Sequence, residues 1–186
     1  LVVLKYGKLQ EEAFKEPGGN KLKKWIDDCP NQLYSALIFE GGEVFKKRIL
    51  DDIGDQSEVS KLINKRSDSD FLELMSNLGG HCISTLCESF NNIKDDKPTA
   101  FIAYTIKGWG TPLAGHKDNH AGLMTKAQMN DFKSKLEIND GEEWNNFSDE
   151  KSELNIHEYI KKLPFQKAGH RKFSGNKVVI DEPVLL

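Results

Sequence analysis

Apolar residues along this chain recur mostly at spacings of three and four, and only twice as short unbroken runs. That pattern predicts many helices and few strands. One run lies within Leu1–Tyr6 and predicts a strand. The other, Thr99-Ala-Phe-Ile-Ala-Tyr-Thr-Ile106, stops at Lys107 and predicts a strand buried on both faces, as in a parallel sheet. Two strands alone do not make a stable sheet.

The helical segments follow from period and punctuation. Leu9–Lys15 reads as a short helix closed by Pro17-Gly18-Gly19, after which Asn20 can cap a helix burying Leu22, Trp25, Ile26 and Cys29 and ended by Pro30. Leu33–Phe39 is open between helix and strand. Glu43–Leu50 is helical with Val44, Phe45 and Ile49 on one side. Ser57 can cap a helix burying Val59, Leu62 and Ile63, and Ser69 or Asp70 the next, burying Phe71, Leu72 and Met75, with Gly79-Gly80 as its stop. Ile83, Leu86, Cys87 and Phe90 form another one-sided helix. Thr125-Lys-Ala-Gln128 is a capping box, with Met124 and Met129 as a staple around it, opening a helix that buries Met129, Phe132 and Leu136. A last helix is expected near Asp149–Lys162, and from Pro164 onward the chain reads as a linker. The fold class is therefore α/β, with an incomplete parallel sheet and several added helices.

Composition narrows the function classes. With 186 residues there is length for a real core, and with 26 basic against 29 acidic residues the net charge of −3 argues against nucleic acid or an anionic membrane surface as partner. No apolar run approaches the ~20 residues of a membrane span. Cys29, Cys82 and Cys87 include no C-x-x-C pair, which reads as free core thiols in a reducing cytoplasm, not a disulfide framework or zinc site. The chain opens without Met inside a β-branched run and stops after Val178–Val184, and so reads as a piece of a longer polypeptide.

The candidate chemistry follows the second strand. In open α/β sheets ligands bind just past the carboxyl ends of the strands. There, Lys107, His116 and His120 fall within fourteen residues, among glycines. Lys107 is either a solvated loop lysine or a compact cation placed for phosphate or carboxylate, and Gly108 and Gly110, which let backbone approach a ligand closely, favour the second. His120, just before the capped helix, is open between donating to an anion or shuttling a proton and making one surface hydrogen bond. His116 is a weaker candidate. His81, after Gly79-Gly80, is either a site residue or a turn residue; His157 and His170 read as solvent-exposed. Gly108-Trp-Gly110 lacks dinucleotide-fingerprint spacing, and no metal-ligand pattern surrounds Gly54-Asp55-Gln56.

Thr105-Ile-Lys-Gly-Trp-Gly110 and Ala114-Gly-His-Lys-Asp-Asn-His-Ala-Gly-Leu-Met124 resemble the thiamine-diphosphate enzymes of the transketolase group, most closely the decarboxylating first component of homodimeric pyruvate dehydrogenases. Val3–Gly7, Trp25–Asn31, Gly54-Asp-Gln56 and Asn77–His81 agree, and the likeness weakens after about Asn139. The resemblance implies that residues 1–163 are the later part of a diphosphate-binding domain and 164–186 a linker toward a pyrimidine-binding domain outside the chain. It implies thiamine diphosphate and Mg²⁺ as cofactors, with the Gly-Asp-Gly motif and the Asn that hold the metal lying upstream of Leu1, so that the chain itself supplies no metal ligand.

By the same resemblance Lys107 faces the cofactor diphosphate and the substrate, while His120, on a mobile loop, lines the substrate channel and acts in catalysis, with His116 nearby. His81 matches the family's Gly-Gly-His, although Cys82 stands where an Asp is usual. The implied reaction is decarboxylation of a 2-oxo acid, pyruvate foremost, with acyl transfer to a lipoyl group on a dihydrolipoyl acyltransferase partner, in a cytoplasmic homodimer. The 186 residues alone are expected to be inactive. A 2-oxobutyrate dehydrogenase or a transketolase is the neighbouring reading, and a non-catalytic anion-binding α/β fragment the reading of another class.

Overall fold

The structure is a computed structural model that describes residues 1–54, 57–144 and 156–163. The chain divides into two units, Leu1–Glu137 and Ile138–Leu186. In the first the order is β1 (Val2–Leu4), α1 (Lys8–Ala13), α2 (Gly19–Asp28), α3 (Asn31–Glu40), α4 (Gly42–Ile53), α5 (Ser57–Asn64), α6 (Asp68–Ser76), α7 (Ile83–Asn91), β2 (Phe101–Ala103) and α8 (Lys126–Lys135). In the second, α9 (Ile156–Lys162) is the described helix. The expected helix from Asp149 falls partly outside the described residues, the expected linker from Pro164 and His170 lie wholly outside them, and nothing is described of the His157 side chain.

β1 and β2 pair in parallel, Val2 opposite Phe101, Val3 opposite Ile102 and Leu4 opposite Ala103. This is a helix-rich chain around a two-stranded parallel sheet, compatible with α/β. The ambiguous segment Leu33–Phe39 is helix. The strand expected over Thr99–Ile106 has only three residues, and it is not buried on both faces: Ile102 is 48% exposed and its partner Val3 53%. Side chains alternate across a strand. Leu4 therefore turns inward and is buried, while the paired Val3 and Ile102 face the other way and stay about half exposed.

The core is built between helices. Phe45 of α4 meets Phe71, Tyr34 and Trp25 at ring separations of 6.1, 5.3 and 5.8 Å, and Leu22, Ile49, Val59, Ile63 and Met75 fill the space around them. The expected stripe of α5 is buried, as are Phe71 and Met75 of α6, while Leu72 is half-buried. Val44 of α4 instead faces solvent. Two other stripes are not covered: α7 leaves Ile83 and Phe90 exposed, and α8 leaves Met129 and Leu136 exposed. Of the cysteines Cys82 is buried, Cys29 half-buried and Cys87 exposed, so Cys87 is not a core thiol.

Two caps lie two residues earlier than expected. α2 starts from Gly18, at φ +84°, and not from Asn20. α6 is capped by Ser67, whose Oγ accepts from the Asp70 N–H at 3.0 Å, and not by Ser69 or Asp70. The Thr125–Gln128 capping box forms in both directions, at 3.2 and 2.9 Å.

Candidate functional site: a cleft at the carboxyl ends of the two strands

Gly79 and Gly80, expected as a helix stop, do something else. α6 already ends at Ser76. The turn that follows lies across the ends of both strands: the Gly79 N–H donates to Lys5 O at 3.0 Å and the Gly80 N–H to Tyr104 O at 2.9 Å. A Cβ on Gly79 would lie 2.4 Å from the Leu4 carbonyl, and one on Gly80 2.6 Å from Tyr104 O. Only glycine permits that approach, and it delivers the next residue, His81, to the junction where β2 becomes the loop. There His81 Nε2 accepts the Ile106 N–H at 2.7 Å, and its ring stacks on Trp109 at 4.4 Å and 13°. Because Nε2 accepts, the neutral ring carries its proton on Nδ1. Burial holds this imidazole below the usual histidine pKa.

Beyond β2 the chain folds as successive tight turns. Gly108, Gly110 and Gly115 take φ of +74°, +83° and +75°, where side chains are disfavoured. The Lys107 carbonyl gathers the loop, accepting from the Gly115 N–H at 3.0 Å and from Asn119 Nδ2 at 2.7 Å. Asn119 Oδ1 is buried and has no hydrogen-bond partner among the described residues. Gly115 packs directly on α3, since a Cβ there would sit 2.2 Å from Ser35 O.

Two cavities open along α3 and share Asn31 and Ser35. The first, about 430 Å³, lies against both strand ends, with Lys5, Asp27, Tyr34 and Tyr104 in its wall. The second, about 510 Å³, has Lys107, His116 and Lys117 on one side and Phe39 and Glu40 of α3 on the other. Asp27 is held by Lys5 and the Tyr6 hydroxyl. Burial pushes its carboxyl up, but those hydrogen bonds outweigh burial and leave it below the usual carboxylate range. The same burial and contact raise the Tyr6 phenol.

The predicted residues are thus only partly gathered. Lys107 and His116 line one cavity. His116 packs edge-on against Phe39 at 4.5 Å, and its Nδ1 accepts the Asp118 N–H at 3.1 Å. His81 anchors the backbone beside Lys107 without lining either cavity. His120 is exposed and lines neither. Lys5, Asp27, Asn31 and Ser35 were not anticipated. Lys5 alone carried a local signal, because it follows Val2-Val3-Leu4 as Lys107 follows the second run.

No helix among the described residues is long and apolar enough to cross a membrane. Among them, too, no cluster of three His, Cys, Asp or Glu could hold a metal ion.

No protein-family model matches the chain, and no solved structure matches it. It is 24% identical over 127 residues to the pyruvate dehydrogenase E1 component of Buchnera aphidicola subsp. Schizaphis graminum (strain Sg). That alignment covers 67% of this chain and 14% of the other protein, so the chain spans about a seventh of the length of this relative. Over two thirds of its length, then, the chain is distantly similar to a pyruvate dehydrogenase component.

Proposed function

We propose that this chain is part of a 2-oxo acid dehydrogenase component that decarboxylates pyruvate and passes the acetyl group to a lipoyl group. The observation that carries the reading is the pair of adjoining cavities that share Asn31 and Ser35, one at the carboxyl ends of the two parallel strands and the other with Lys107 on its wall, in a chain similar to an E1 component. The residues present fit an anionic group. Lys107 makes no ion pair among the described residues, and nothing lies within 4 Å of a Cβ added at Gly110. In this reading Mg²⁺ is held by residues outside this chain.

Thiamine diphosphate, when bound, would supply the electron sink that decarboxylation of a 2-oxo acid requires. Lys107 holds anionic oxygens of diphosphate or substrate by fixed charge. His116, with Nδ1 occupied as an acceptor, presents a protonated Nε2 that orients a carboxylate. His120, on the exposed stretch of the same loop, holds or passes a proton once the loop excludes water. A homodimer, a dihydrolipoyl acyltransferase partner and a cytoplasmic setting complete the proposal.

The test is product analysis on the polypeptide that carries this chain, with thiamine diphosphate and Mg²⁺: decarboxylation of pyruvate or 2-oxobutyrate, against ketol transfer between sugar phosphates. Turnover of pyruvate with a tenfold or greater loss in Lys107→Ala and His120→Ala, about 1.4 kcal/mol each, supports it. Preference for 2-oxobutyrate or sugar phosphates moves the assignment to the neighbouring enzymes, and no turnover of any of them leaves a non-catalytic anion-binding module.

A further inference from the structure

Lys107 is bracketed. The residue before it, Ile106, has a buried side chain and gives its backbone N–H to His81 Nε2. The residue two after it, Trp109, lies flat on the same imidazole. The Trp109 N–H also closes back on Ile106 O at 3.1 Å, so one ring touches both ends of the tight turn that carries the lysine. We infer that His81 is a positioning residue for Lys107: its ring, unprotonated at Nε2, fixes the Ile106 amide and the Trp109 indole on either side of the lysine, and protonation breaks the first of these anchors. An imidazolium has two N–H groups and no acceptor, so a protonated Nε2 faces the amide donor to donor. The stack on Trp109 survives, because a cation over an indole is still attracted.

The titratable groups next to the ring and its two anchors are Cys82, Tyr104 and Lys107; the same elements carry Lys5 after β1, Cys87 and Glu88 on α7, and His116, Lys117, Asp118 and His120 farther along the loop. No carboxylate contributes to the shift of the imidazole, and burial alone keeps it neutral. The backbone geometry therefore predicts one tautomer at neutral pH and one point of failure in acid. A histidine acting only as a turn residue would show neither.

The inference rests on the proposed function solely for its activity readout, and its first tests do not need it. Nitrogen NMR of the His81 ring in the 186-residue chain should show the Nδ1-protonated tautomer at pH 8 and a titration midpoint below the ordinary histidine value near 6.5. Trp109 fluorescence should change with the same midpoint, and the change should be lost in His81→Phe and in Trp109→Phe. Exchange of the Ile106 amide should quicken about tenfold in His81→Phe, as one protecting hydrogen bond is lost. It should stay slow in His81→Gln, whose amide oxygen reaches the position of Nε2. In the 2-oxo acid assay, the acid limb of kcat/KM should follow the His81 midpoint and flatten in His81→Gln.

An Nε2-protonated tautomer in the wild-type chain overturns the inference, whether or not any variant folds. So does an Ile106 amide that exchanges equally in His81→Phe, or an acid limb unmoved by His81→Gln. If the tautomer and exchange results hold and no 2-oxo acid turns over, the clamp stands and the functional reading falls.

Discussion

Gly115→Ala separates two costs that the fold combines at one position. The residue sits at φ +75°, where an L side chain costs about 1–2 kcal/mol. Its Cβ would also lie 2.2 Å from the Ser35 carbonyl oxygen, well inside ordinary contact. The clashing atom is helix backbone, so no rotamer change relieves it. The loop must retreat from α3 by about 1 Å or more, which strains the Gly115 N–H to Lys107 O bond and widens the cavity containing Lys107 and His116. Gly110→Ala is the control, because it has a similar φ of +83° with nothing within 4 Å. In urea denaturation we expect Gly110→Ala to lose about 1 kcal/mol and Gly115→Ala about 2–3 kcal/mol. Amides of the Lys107–Asn119 turns should exchange faster in Gly115→Ala alone. If the two variants match in stability and in loop protection, the loop is not seated on α3 as described, and the shape assigned to the second cavity is wrong.

Further predictions concern the supporting scaffold. Ser67→Ala should cost about 1 kcal/mol by removing the α6 cap, whereas Ser69→Ala should stay within about 0.5 kcal/mol in the same urea titration. Glu16 is paired with Lys65, and with Arg66 at 2.7 Å, and chiefly the Lys65 hydrogen bond holds its carboxyl below the usual range. Its contribution should be fully present above the unfolded carboxyl pKa near 4.3 and should vanish as pH falls through the lower folded value. The stability gap between wild type and Glu16→Gln, about 1 kcal/mol at neutral pH, should therefore close below about pH 4 in an acid titration.

Local patterns carried the parts of the fold that local forces decide. The stripes of α5 and α6 and the Thr125 capping box could all be read from spacing, because residues three and four apart settle them. Both displaced caps were decided from a distance. The backbone at Gly18 lies against Glu58 and Val59 at the start of α5, with 2.7 Å left for a Cβ, and this places the start of α2 ahead of Asn20. Gly42 likewise lies against Asp68, fixing α6 to begin beside Ser67. The apolar faces of α7 and α8 were legible as faces, but periodicity does not say what covers them.

The candidate site divides in the same way. Lys107 and His116 were found because they follow an apolar run and stand among glycines. Asn31 and Ser35 sit on α3, more than seventy residues earlier, and only the packing of the loop on α3 brings them into one cavity with Lys107, while Asp27 of α2 lines the neighbouring cavity. The Gly-Gly pair was noticed as punctuation, yet its purpose depends on two strands that pass close by.

The parallel register of Val2 with Phe101 has a further meaning for how the molecule assembles. β1 is made before its partner, which follows only after seven helices. Those helices close on near neighbours along the chain, while the strand pairing joins Val2 to Phe101 across all seven of them, and contacts so distant in sequence carry the largest loop-closure entropy. The helical core can collapse while β1 still waits. The turn at Gly79-Gly80, which needs both strands in place for its two backbone hydrogen bonds, is then completed only when β2 docks. Chain synthesis thus reaches the cleft only after the helical core, and a ribosome stalled before Phe101 would carry that core without the cleft.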